Sequence, residues 1–133
     1  MDTVNIQIPS LTENLRIVES FIDNVKERFR LDDDIYGNIM ISVTESVNNA
    51  IHHGNRQDKD KNVSVTLHLN ESEVRFTIQD QGKGFDFHNL PDPTAPDNIE
   101  KLGGRGIFLM KNLADEVHFE DEGRVVILVF YLS

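Results

Sequence analysis

Two short segments in the middle of the chain alternate strictly between apolar and polar residues. Residues 63–69 are Val-Ser-Val-Thr-Leu-His-Leu and residues 74–78 are Val-Arg-Phe-Thr-Ile, with Asn70-Glu71-Ser72 between them. Because successive side chains of a strand point to opposite faces, this alternation predicts two half-buried strands joined as a hairpin. The apolar face of such a hairpin needs a second layer to cover it.

Two amphipathic helices are predicted between this hairpin and a short strand at residues 4–8. The first runs to about Arg30 and is preceded by Ser10 or Thr12 as the capping residue. The second begins at the acidic run 32–34, which suits a helix N-terminus, and should stop at Gly54. The two apolar stripes are Leu15, Val18, Ile22, Val25 and Phe29, and Ile35, Ile39, Val43, Val47, Ala50 and Ile51.

The rest of the chain completes a single domain covering residues 1–133. Residues 81–103 hold three of the four prolines and form a long predicted loop. A short helix is expected over residues 104–113, followed by closing strands at 116–119 and 125–131. The order predicts an α+β fold, a two-layer α/β sandwich with the helices on one face of a mixed, mostly antiparallel sheet.

Composition narrows the classes of function. With 13 Lys and Arg against 23 Asp and Glu, the formal charge is −10, which disfavours direct nucleic-acid binding. The absence of cysteine excludes disulfides and thiol nucleophiles. No segment approaches the roughly 20 apolar residues of a membrane span, and the N-terminus lacks the pattern of a leader. A cytoplasmic protein with no membrane association is expected.

The first chemical signal lies on the second helix, where Glu45 and Asn49 are four residues apart. This spacing places both side chains on one helical face, one turn from each other. A carboxylate can accept a proton, and an amide oxygen can bind a hard cation such as Mg²⁺. A polar helix face in solvent is the alternative interpretation.

Two glycine-containing segments provide further signals. The segment Asp80-x-Gly82-x-Gly84 follows a strand, where an Asp can accept a hydrogen bond from an exocyclic amine such as that of adenine. The segment Gly103-Gly104-Arg105-Gly106 opens a helix, and backbone N–H groups at such a start can bind an anion. Taken singly, each segment could equally be a plain turn.

The order of these segments resembles the ATP-binding superfamily of gyrase, heat-shock chaperones, histidine kinases and MutL, with its Bergerat-type fold. Within it, Glu45-x-x-x-Asn49-Ala50-x-x-His53-Gly54 and the segment 104–110 are most similar to the anti-sigma factor serine kinases. The resemblance extends over nearly the whole chain. It implies ATP and Mg²⁺ as cofactors, and as partners a sigma factor and an anti-anti-sigma protein of the STAS type. A homodimer is possible.

The resemblance also implies a role for each candidate residue. Glu45 would be the general base for a substrate serine, Asn49 the Mg²⁺ ligand, and Asp80 the residue that recognises the adenine amine. Residues 87–103 would form the ATP lid. The remaining predicted nucleotide contacts are Gly82 and Gly84 beside the base and Gly104, Arg105 and Gly106 at the phosphates.

The sequence departs from the family pattern at one position, and two alternative functions remain. Many members have Gly-Thr entering the last strand, whereas Arg124 follows Gly123 here, which puts a second adenine contact and the retention of kinase activity in question. A non-catalytic, ATP-gated binding module is the first alternative. A histidine kinase catalytic domain is the second, disfavoured by Glu45 and by the lack of a segment bearing an acceptor histidine.

Overall fold

A computed structural model of the chain describes residues 2–82 and 104–132, with the backbone alone at 104 and 105. The predicted lid at 87–103 and Gly84 lie outside the described residues. Five strands and three α-helices are formed by the described part of the chain, and their bounds follow the sequence patterns closely.

The strands form one sheet in the order β1-β2-β3-β5-β4. They are β1 (Asp2–Pro9), β2 (Asn62–Leu69), β3 (Glu73–Gln79), β4 (Glu116–Glu120) and β5 (Val125–Tyr131). All four pairings between these strands are antiparallel. The hairpin register sets Val65 opposite Ile78 and Thr66 opposite Thr77. The predicted hairpin and the mostly antiparallel sheet are confirmed.

The helices are α1 (Leu15–Phe29), α2 (Asp33–Asn49) and α3 (Gly104–Leu113). The Asp32 carboxylate accepts from the Ile35 N–H at 2.9 Å, which confirms the predicted N-terminus of α2. A π-helical turn, Ala50–Gly54, extends α2 and ends at the predicted glycine. The predicted cap of α1 is wrong. Asn14 precedes the helix without a capping bond, Thr12 begins a 3₁₀ turn, and the Ser10 hydroxyl donates to the Lys61 carbonyl.

The helices cover one face of the sheet and bury the apolar stripes. Phe76 of β3 lies at the centre, with its ring edge-on to those of Phe21 and Phe130 at 6.4 Å. The buried members of the two predicted stripes are Val18, Ile22, Val25, Ile39, Val43, Val47, Ala50 and Ile51. Across residues 2–82 and 104–132, no helix has the length and apolarity needed to cross a membrane.

Candidate functional site

The predicted pair on α2 lies against the first turn of α3. A Cβ atom placed on Gly106 would be 3.0 Å from Asn49 Nδ2 and 3.1 Å from Glu45 Oε2. Glu45, Asn49 and Gly106 are therefore brought together, as the motif order predicted. The lack of a side chain at Gly106 is what lets the helix start approach the carboxylate and the amide.

The Asn49 side chain has an unused hydrogen-bonding group. Its Nδ2 is buried and has no hydrogen-bond partner among the described residues. Since a buried polar atom without a partner costs free energy, such an atom in a native fold calls for an explanation. The two ends of an amide have the same shape, so a rotation presents either its oxygen or its N–H group to a ligand.

The turn after β3 is held tightly in place. Asp80 is only 5% exposed, and its Oδ1 accepts from the Gly82 N–H at 2.8 Å. A Cβ atom on Gly82 would collide with the Gly54 carbonyl, and one on Gly54 would collide with the Asp80 carboxyl group. The two glycines therefore bring the end of the π-helical turn directly against the Asp80 turn.

Burial raises the pKa of the Asp80 carboxyl group above its usual range. The Gly82 N–H and the positive charge of Arg124 oppose this shift by favouring the carboxylate. Desolvation is the larger effect. A bound group that donates a hydrogen bond to Asp80 would compensate for the loss of water around the carboxylate.

A cavity joins these two parts of the site. Ser46, Asn49 and Asp80 supply its polar wall, and Ile78, Met110 and Val126 supply apolar surface. Such a mixture of polar and apolar side chains is the usual composition of a small-molecule site. The Asn49 amide links the cavity to the start of α3 at Gly106.

Arg124 also lines this cavity, and it holds the Asp80 turn by two bonds. Its backbone carbonyl accepts from the Asp80 N–H at 2.9 Å, and its Nε donates to the Gly82 carbonyl at 2.6 Å. Its Nη1 donates to the Asp121 carboxylate at 3.2 Å. From the sequence, Arg124 is predicted only as the loss of a Thr, and no pattern indicates that its side chain supports the turn.

Asn55 is a second supporting residue that the sequence patterns do not predict. It is 2% exposed, and its Nδ2 donates to Ser10 Oγ at 2.7 Å and to the Asn62 carbonyl at 3.0 Å. Its Oδ1 accepts from the Gln81 N–H at 2.7 Å. One buried amide thus fixes the turn that carries Asp80, and no periodic pattern in the sequence reveals it.

The predicted site residues thus fall into two groups. Glu45, Asn49, Asp80, Gly82 and Gly106 lie around one cavity and the adjoining helix start. The backbone of residues 104 and 105 opens α3 as predicted. The side chain of Arg105 and the whole of Gly84 lie outside the described structure.

The fold and the cavity define a class of protein, the nucleotide-binding α+β domains. Here one helix carries a carboxylate and an amide, and it lies beside the glycine-rich start of another helix. The chain belongs to the family of histidine kinase-like ATPase domains, whose pattern matches residues 8–130. Use of ATP is the property that this family implies.

Curated relatives match the chain along its length. It is 28% identical to the serine-protein kinase RsbW of Bacillus subtilis (strain 168) over 139 aligned residues, covering 99% of this chain and 87% of that protein. It is 29% identical to the serine-protein kinase RsbW of Bacillus velezensis over 140 aligned residues, covering 100% of this chain and 88% of that protein. The predicted family resemblance and the enzyme class, a protein serine kinase, are confirmed.

A solved structure has the same fold. The crystal structure of the RsbU and RsbW domains of Rv1364c from Mycobacterium tuberculosis superposes with a TM-score of 0.69 at 16% identity. The match covers 98% of this chain and 32% of that longer chain. At this identity the likeness supports the two-layer α+β architecture alone.

Proposed function

We propose that the protein is an ATP- and Mg²⁺-dependent serine kinase that also acts as an anti-sigma factor in the cytoplasm. It binds a sigma factor, and it phosphorylates a serine of a STAS-type anti-anti-sigma partner. The observation that carries the catalytic part is the packing of Glu45 and Asn49 against Gly106, at 3.1 and 3.0 Å from a Cβ atom placed there. The names of the relatives support the choice of serine as the acceptor.

The residues present fit a magnesium nucleotide. The Asn49 amide, whose Nδ2 has no partner among the described residues, is free to rotate and would offer its oxygen as one hard ligand beside a helix start that can bind phosphate. The described residues contain no cluster of three or more His, Asp or Glu side chains that could hold a metal, so phosphate oxygens would complete the coordination. When bound, Mg²⁺ would neutralise charge on the phosphates and orient the transferred group.

Glu45 is placed to handle the proton of the acceptor serine. Its carboxylate lies one helical turn before Asn49 and faces the same helix start. A serine hydroxyl that approaches the γ-phosphate from the open side would lose its proton to this carboxylate. Positioning of the two substrates supplies most of the remaining acceleration of phosphoryl transfer.

Substitution of Glu45 separates binding from chemistry. Glu45→Gln keeps the shape of the side chain and removes the proton acceptor, so ATP affinity should persist while transfer to the partner serine falls by about 10²–10⁴-fold. Asn49→Ala should lose Mg²⁺-dependent binding and transfer together. Transfer is measured with labelled ATP and a candidate partner encoded beside this gene, and affinity is measured by calorimetry.

Asn48→Ala provides the matched control, since Asn48 is the neighbouring amide on α2 and does not line the cavity. Its affinity and transfer rate should equal those of the wild type. A fully active Glu45→Gln protein would remove Glu45 from catalysis. A wild type that binds ATP and its partner without transfer would be a sequestering module, and label on histidine would make it a histidine kinase domain.

A further inference from the structure

Helix α2 carries two buried hydroxyl groups without partners. Ser42 is fully buried and Ser46 is 2% exposed, and neither Oγ has a hydrogen-bond partner among the described residues. Ser46 lines the cavity with Asp80, whereas Ser42, one turn earlier, does not. The two serines therefore have burial and an unpartnered hydroxyl in common among the described residues, and they differ in access to the cavity.

An unused hydroxyl beside Asp80 matches a particular chemical pattern. The ionised Asp80 carboxylate only accepts hydrogen bonds, so it requires a donor such as the exocyclic amine of adenine. The ring nitrogen N1 next to that amine is an acceptor and requires a donor. Ser46 Oγ can donate, and it has no competing partner among the described residues.

The cavity has two other side chains that can donate hydrogen bonds, Arg124 and Asn49. The Arg124 guanidinium group is bonded to the Gly82 carbonyl and to Asp121. The Asn49 amide lies beside Gly106, at the end of the cavity nearest the start of α3. Asn49 Nδ2 is also without a partner among the described residues, but the proposed function assigns that amide to the magnesium and the phosphates. Ser46 is therefore the side-chain donor that remains for a nucleobase held at Asp80.

We infer that Ser46 is a nucleobase-binding contact, with its hydroxyl donating to N1 of adenine while Asp80 accepts from the amine. This inference rests on the proposed ATP site and adds a residue to it. Guanine presents an acceptor and a donor in the reversed order at these two positions. The Asp80 carboxylate, which only accepts, would therefore disfavour guanine, whereas the Ser46 hydroxyl can also accept and adds affinity for the base.

The test compares ATP with 1-deaza-ATP, in which a C–H group replaces N1. Calorimetry is done on the wild type, Ser46→Ala and the matched control Ser42→Ala. Ser46→Ala should weaken ATP binding about five- to tenfold and leave the affinity for 1-deaza-ATP unchanged, because a single neutral hydrogen bond is removed. Ser42→Ala should stay within about twofold of the wild type for both nucleotides.

Thermal unfolding without nucleotide tests whether either substitution has damaged the fold. Each Ser→Ala change removes a buried hydroxyl without a partner, so neither variant should unfold at a lower temperature than the wild type. If Ser46→Ala unfolded at a lower temperature, Ser46→Cys, which keeps the shape of the side chain with only a weak donor, would replace it. This variant should likewise weaken the binding of ATP and leave the affinity for 1-deaza-ATP unchanged.

Unchanged ATP affinity, or an equal loss for both nucleotides, would overturn the Ser46 contact and leave the proposed function standing. A wild type that binds neither nucleotide would overturn the proposed function itself.

Discussion

At the scale of single residues, the buried carboxyl group of Asp80, in the proposed adenine site, reduces the stability of the fold at neutral pH. The carboxylate is buried, and burial raises its pKa above the value of an unfolded chain. The folded state then holds the proton more tightly than the unfolded state. The contribution of Asp80 to stability is greatest below about pH 4, and it is lost as the pH rises through the folded pKa.

Asp80→Asn should therefore change stability and binding in opposite directions. The amide keeps an oxygen for the Gly82 N–H and removes the buried charge, so the variant should be more stable than the wild type at neutral pH. Near pH 4 this difference should disappear. ATP affinity should fall tenfold or more, because a charge-assisted hydrogen bond is lost.

Urea unfolding of both proteins between pH 4 and 7 measures the difference. Arg124, Asp121 and Lys61 surround the carboxyl group, and all three are unchanged in the variant, so the pH-dependent part of the difference reports Asp80. A wild type as stable as the variant at every pH would contradict the desolvation of Asp80. Unchanged ATP affinity would remove Asp80 from the adenine site.

At the scale of elements, the junction of α2 and α3 depends on one glycine. Gly106→Ala would place a methyl group against Asn49 and Glu45, closer than ordinary van der Waals contact. Alanine favours a helix by about 1 kcal/mol over glycine, so the fold should tolerate the change. The displaced side chains should nonetheless reduce phosphoryl transfer by tenfold or more.

Gly37 provides the control for this substitution, since a Cβ atom there would meet no atom within 4 Å. Gly37→Ala should stabilise α2 by about 1 kcal/mol and leave transfer unchanged. Kinase assays and urea unfolding of both variants make the comparison. Full activity in Gly106→Ala would show that the contact between the helices is unimportant for transfer.

The elements themselves could be predicted because each has a local pattern. The alternation of the hairpin, the apolar stripes of α1 and α2, and the Asp32 cap all depend on residues a few positions apart. The contacts of Ser10 and Asn55 depend on residues distant in the sequence. Ser10 was predicted as a cap because serine favours that position, whereas its partners are Lys61 and Asn55.

At the scale of the whole molecule, Asn55 joins the N-terminal part of the fold to the proposed nucleotide site. Its side chain connects Ser10, just after β1, with Asn62 at the start of β2 and Gln81 beside Asp80. The Gln81 side chain in turn accepts from the Asn62 N–H at 2.7 Å. The position of the Asp80 turn is thus coupled to the pairing of the first two strands.

Asn55→Ala should damage both stability and binding. Three hydrogen bonds are lost at a buried position, which should cost about 2–4 kcal/mol of unfolding free energy. The freed Asp80 turn should also bind ATP at least tenfold more weakly.

Asn70→Ala is the matched control, because Asn70 Oδ1 likewise accepts three hydrogen bonds, from Ser72 and Glu73, in the exposed hairpin turn. That turn lies at the opposite end of β3 from Asp80, roughly 20 Å away at the rise of a strand. Urea unfolding and calorimetry should show a milder loss of stability in Asn70→Ala and wild-type affinity for ATP. If Asn55→Ala matched this control in both measurements, the buried amide would be a local contact that does not position the nucleotide site.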